Sequence, residues 1–138
     1  LVAKHVMTFE ETLMANANAI RFKPRKAKAL LHGHCHQKAF DAMGPVEHIL
    51  SYVDGLEVEP IATSCCGMAG DFGYAADTFD YSIQMAELDL LPTVRKASDD
   101  TLIIADGTSC RSQIFDGSGR QAIHVARFLD RQLAEIEN

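Results

Sequence analysis

Apolar residues in this chain fall into short compact runs separated by stretches with helical spacing. Lys26–His32 (KAKALLH) ends in a continuous apolar run of strand length. Leu56–Ala62 (LEVEPIA) alternates, as a half-buried strand does. Thr101–Ala105 (TLIIA) is apolar and β-branched, and Ala122–Val125 forms a short fourth candidate strand. The intervening segments read as helices. The first runs from Phe9 to Ile20 behind Thr8-Phe9-Glu10-Glu11, which has capping-box form. A second starts at Gln37, breaks at Gly44-Pro45 and restarts at Pro45 toward Tyr52. A third covers Asp77–Leu90, is interrupted at Pro92 and continues to Lys96. Arg111–Phe115 suits one helical turn, with a flexible turn at Asp116–Gly119. The closing helix, Ala126–Ile136, has apolar residues at 126, 129, 133 and 136.

Strands alternating with helices predict βαβ units and a parallel sheet. The expected fold is α/β and three-layered, with three to four parallel strands and helices on both faces. In such a sheet every strand-to-helix loop lies on the carboxyl edge, where open α/β folds bind their ligands. The first three strands are each followed by cysteine: Cys35 in GHCH, Cys65 and Cys66 in TSCCGMAGDFGY, and Cys110 in DGTSC. Strand order therefore predicts four thiols on one edge.

Four thiolates suit zinc or an iron–sulfur cluster. No Cys-x-x-Cys zinc knuckle is present. Adjacent cysteines diverge, so Cys65 and Cys66 reach a wide object more readily than one small ion, and a disulfide between them is strained. Gly67 and Gly70 permit a sharp turn and close approach to a bulky ligand. The helix beyond them could aim its amides at an anionic cluster. His32, His34 and His36 each read as a ligand, as a hydrogen-bond donor to a thiolate, or as a neighbour of the site. Lys38 and Arg111, just past two of the cysteines, offset cluster charge, meet a substrate carboxylate, or are simply solvated. Met43, Met68 and Met85 read as packing residues, and Glu10, Glu11, Glu57 and Glu59 as solvated faces. Isolated cysteines are usually core residues; four in polar, glycine-rich loops are better explained by metal or redox chemistry.

Composition narrows the function. The 138 residues carry a net charge of −6, and the densest basic stretch, Arg21–Lys28, is short. Nucleic acid is thus excluded as a partner. No apolar run reaches membrane-spanning length, and no secretory signal is visible. Four cysteines without such a signal favour metal or redox chemistry over disulfides. Paired acids, a nucleophile with its base, and a GxGxxG loop are all missing. The chain opens at Leu1, inside a helical pattern, which suggests a piece of a longer polypeptide.

HGHCHQKA (32–39), SCCGMAGDFGY (64–74) and ADGTSCRSQI (105–114) together resemble the cysteine-rich, or CCG, domain. That domain occurs in heterodisulfide reductase, glycolate oxidase and anaerobic glycerol-3-phosphate dehydrogenase iron–sulfur subunits. The wording is most similar to the carboxy-terminal iron–sulfur part of fused FAD-linked dehydrogenases of the D-lactate or D-2-hydroxyglutarate type. The resemblance covers roughly residues 28–130, and implies an N-terminal helix and linker at 1–27 and the cysteine-rich domain at 28–138. It also implies an iron–sulfur cluster, of 4Fe–4S type, held by Cys35, Cys65, Cys66 and Cys110. Gly67, Gly70, His34, His36, Lys38 and Arg111 would surround it. FAD would sit in a separate domain of the same polypeptide, and electrons would pass to a quinone or a carrier. The expected location is cytoplasmic, with peripheral association at the inner face of the membrane. The fragment is not expected to be catalytic alone. The family pattern ends in Cys-x-x-Cys, whereas here Gln113 stands where the fifth cysteine would be. That departure keeps alternatives open: a zinc site, or a cluster-free structural or docking domain of the same enzyme.

Overall fold

A computed structural model describes residues 2–63 and 65–134. Four parallel strands form one sheet: β1 (Ala27–His32), β2 (Leu56–Pro60), β3 (Leu102–Ala105) and β4 (Ala122–Ile123), in the order β2-β1-β3-β4. The helices are α1 (Phe9–Ala15), α2 (Cys35–Ala39), α3 (Met43–Leu50), α4 (Phe79–Leu88), α5 (Leu90–Lys96), α6 (Thr108–Ser118) and α7 (Val125–Gln132). Short 3-10 turns occupy Val2–His5 and Ala17–Ala19. The architecture is the expected α/β fold.

Central position explains the apolar run in β1. Ala29, Leu30, Leu31 and His32 are all buried, because β2 and β3 pair on either side and helices cover both faces. Strand alternation sorts the core in two. Ala29, Leu31 and Ile104 pack with Val46, Ile49 and Leu50 of α3 and Val125, Phe128 and Leu129 of α7. Leu30, Ile103 and Ala105 pack on the opposite face with Leu90 and Val94 of α5 and Cys110 and Ile114 of α6. Edge strand β2 exposes Glu57 and Glu59 and carries Pro60.

Several boundaries differ from the pattern, each for a local reason. The capping box at Thr8 forms as expected, with Thr8 N–H on Glu11 Oε2 at 2.7 Å. Yet α1 stops at Ala15 because the Asn16 amide folds back onto Thr12 O at 2.8 Å. Helix α2 begins at Cys35, not Gln37, because Gln37 Oε1 accepts the His34 N–H at 2.9 Å. Gly44-Pro45 does not break a helix: it sits in the first turn of α3, where a missing N–H costs nothing. Pro92 likewise sits in the first turn of α5, and the break falls at Asp89. The single turn expected at 111–115 is a helix of 11 residues, α6, running through 116–118 to a left-handed cap at Gly119, φ 72°. Helix α7 starts after His124 and ends at Gln132, Leu133 pairing instead with Phe22 as an antiparallel bridge. Ile136, assigned to that helix by the pattern, lies outside the described residues. Glu10 is buried, not solvated, within the first turn of α1, where the helix dipole favours an acid. Met85 is exposed, not packed. Among the described residues no helix is long and apolar enough to cross a membrane.

Candidate metal centre

The sheet order reverses between β1 and β3: from β1 the chain crosses to β2 on one side, and β3 lies on the other. A crevice opens at the carboxyl ends of two such strands. Cys35 follows β1 as the first residue of α2, and Cys110 follows β3 in the first turn of α6. These segments approach closely at Gly107: a Cβ there would lie 2.6 Å from His34 Cδ2 and 2.7 Å from Cys110 Sγ, so a larger residue would displace those side chains. The Cys65–Cys66 loop follows β2 and reaches the same edge.

The four thiols meet as two pairs. Cys35 Sγ lies 3.2 Å from Cys65 Sγ, and Cys110 Sγ lies 3.3 Å from Cys66 Sγ. The outer pair is partly exposed and the inner pair is buried. Neighbouring Cys65 and Cys66 thus diverge, as expected, each toward a different partner.

Electrostatics differ between the pairs. Cys110 donates to Cys66, and that hydrogen bond, with His32 and the Met68 backbone, draws the Cys66 thiol down to about 4 against the opposing effect of burial. The same bond and burial push Cys110 up. Cys65 is also raised, chiefly by burial, while the Gly67 N–H pulls the other way.

His32 ends β1 on the face of the sheet that carries Cys66 and Cys110. One of its ring nitrogens and both sulfurs lie within 4.8 Å of one another. The sequence placed His32 on the same footing as His34 and His36. The missed signal is parity: His32 is two residues from Leu30, in a strand whose inner residues are buried on both faces.

The other expected site residues have distinct positions. His34 caps α2, its Nδ1 accepting the His36 N–H at 3.3 Å, and His36 is exposed. Lys38 Nζ donates to Thr63 O, tying α2 to the chain just before the paired cysteines. Arg111 donates to Ala105 O at 2.9 Å and Asp106 O at 2.6 Å, so it clamps the end of β3. Gly67 adopts φ 88° against Ser82 of α4, whereas Gly70, at φ 70°, faces open space. The amide-bearing helix ends beside the thiols belong to α2 and α6. Helix α4, the next after the cysteine loop, instead contributes Ser82. Gln113 is buried and donates to Ser82 O at 3.3 Å and Ser82 Oγ at 3.1 Å.

Asp106 carries no distinguishing signal in the sequence. Its carboxylate accepts from Gln37 Nε2 at 2.7 Å and Val125 N at 3.1 Å, and His124 Nδ1 stands 3.7 Å away. One side chain therefore locks α2, with Cys35, to the start of α7. Asp106→Ala is expected to cost about 2 kcal/mol, since it leaves an amide and a backbone N–H short of an acceptor. Chemical denaturation of the metal-free chain measures it.

The chain is similar to one of the subunits of anaerobic glycerol-3-phosphate dehydrogenase from Escherichia coli K12, with 26% identity over 112 residues, covering 81% of this chain and 28% of that protein. The same protein from Escherichia coli O157:H7 matches with the same figures. D-2-hydroxyglutarate dehydrogenase of Escherichia coli K12 is 29% identical over 98 residues, covering 70% of this chain and 10% of that protein. These relatives are a dehydrogenase subunit and a dehydrogenase. The chain spans 28% of the length of the glycerol-3-phosphate dehydrogenase subunits it matches. No family model matches it, and no solved structure matches it significantly.

Proposed function

We propose that the chain is an iron–sulfur electron-transfer domain of a larger flavin-linked 2-hydroxyacid dehydrogenase. One observation carries this reading: four thiols from three separate segments, two helix starts and one loop, meet at the carboxyl edge as pairs 3.2 Å (Cys35–Cys65) and 3.3 Å (Cys66–Cys110) apart. Dehydrogenases among its relatives, and the small share of each that it spans, support a domain within a larger enzyme.

The residues fit a metal centre. Thiolates are the ligands that iron–sulfur clusters take, and four match the ligand number of a 4Fe–4S cluster. Cys35, Cys65, Cys66 and Cys110 would hold it. When bound, the cluster takes up and releases one electron at a time. The chain's own residues set the terms of that exchange. Burial of Cys66 and Cys110 dries the inner side, and the partly exposed Cys35 and Cys65 mark the side open to a partner. The Gly67 N–H, 3.3 Å from Cys65 Sγ, stabilises a thiolate there. FAD would occupy a separate domain, and a quinone or carrier would receive the electrons. A zinc centre is the second reading, favoured by the tight trio of His32, Cys66 and Cys110.

The test is redox cycling of the anaerobically reconstituted chain. Dithionite is expected to bleach a visible absorption band, and a quinone analogue to restore it. A colourless protein that binds zinc but shows no redox-linked change would refute the electron-transfer role.

A further inference from the structure

His32 is 1% exposed, and neither ring nitrogen meets hydrogen-bond geometry with any described residue, although the Cys66 sulfur stands close beside the ring. Native proteins rarely leave a buried imidazole in that state, so each case calls for an explanation such as an absent ion. A ring nitrogen lies with the sulfurs of Cys66 and Cys110 inside 4.8 Å. Imidazole and thiolate are both good donors to iron and zinc.

We infer that His32 is itself a metal ligand, so that the centre is a mixed nitrogen–sulfur site built around His32, Cys66 and Cys110. This rests on the metal-binding reading above and holds for either metal. Neither neighbouring histidine suits the role: His34 Nδ1 is engaged by the His36 N–H, and His36 is exposed. Zinc and an ordinary cluster each offer four terminal positions to the protein. His32, Cys66 and Cys110 fill three, so one thiolate of the outer pair, Cys35 or Cys65, supplies the fourth and the other stands outside the metal's own ligands, in place of the all-cysteine set named above. Histidine in place of thiolate raises a cluster's reduction potential.

The experiment labels the full chain with ¹⁵N-histidine, reconstitutes it anaerobically, and reads nitrogen hyperfine coupling in the paramagnetic state. If the chain takes up only zinc, X-ray absorption at the zinc edge reads the same ligand shell. The expected result is one directly bonded nitrogen, lost in His32→Ala and kept in His34→Ala and His36→Ala. His32→Cys is expected to retain the metal, lose the nitrogen signal and, in the iron form, lower the potential. Metal bound with sulfur ligands alone, or a nitrogen signal that survives His32→Ala, overturns the inference and leaves the metal-binding reading intact. A folded wild-type chain that binds no metal overturns both. The wild-type spectrum decides the matter even if His32→Ala fails to fold.

Discussion

Cys66→Ser is expected to leave the chain folded and nearly metal-free, with affinity lower by roughly a hundredfold or more. Cys66 is the hub of the inner half of the site: it accepts the hydrogen bond from Cys110 and lies beside His32. Its thiol is also the one held below the usual thiol range by the hydrogen bond from Cys110, which favours the thiolate form that metals bind. Changing a group that merely orients a ligand typically costs 10–100-fold in affinity, and removing the ligand itself is expected to cost at least as much. Sulfur to oxygen is a small change in volume, so the two clusters of core residues keep their packing. Metal per chain after gel filtration, with circular dichroism to verify the fold, measures the effect. Full retention of metal by Cys66→Ser would remove Cys66 from the centre.

Gly67→Ala is expected to destabilise the fold by about 3 kcal/mol or more. The new Cβ would lie 2.2 Å from the carbonyl oxygen of Ser82, a backbone atom within α4 that cannot step aside. Two costs add: a left-handed backbone, φ 88°, occupied by a residue with a side chain, at roughly 1–2 kcal/mol, and overpacking, at roughly 1–3 kcal/mol. In a chain of this length that lowers Tm by roughly 10 °C. Gly70→Ala is the control. Gly70 shares the positive φ, at 70°, but faces open space, so only the backbone cost of about 1 kcal/mol remains. Thermal melts of the metal-free variants separate the two. Equal losses at both positions would mean that Ser82 does not press on the cysteine loop.

Glycine spacing behind the paired cysteines was legible in the sequence, but its two roles were not. Gly67 and Gly70 look alike there, and only the packing of α4 against the loop tells a close approach from a turn. The strands were legible because apolar, β-branched runs of that length have few alternatives. Their order placed Cys35, Cys65, Cys66 and Cys110 on one edge without any contact being known. Which thiol meets which was not legible, since pairing depends on how far the loop after β2 reaches across β1. Helix α6 was underestimated because Asp116-Gly117-Ser118 resembles a turn. In the fold, Gly117 packs against Leu91, where a Cβ would come to 2.4 Å of Leu91 Cδ1, so a larger residue there would force the Leu91 side chain to shift. His32 stood among three histidines in five residues, and only its place at the end of a doubly covered strand distinguishes it. Gln113 marked a departure from the motif. Its buried contacts with Ser82 give that departure a structural use, in joining α6 to α4.

Metal and acid-labile sulfide analysis of anaerobically purified chain tests the central claim most directly. The account predicts iron and sulfide in a one-to-one ratio, about four of each per chain for a 4Fe–4S cluster, with a visible absorption band. Zinc near one per chain, without sulfide and resistant to iron reconstitution, would contradict an electron-transfer centre.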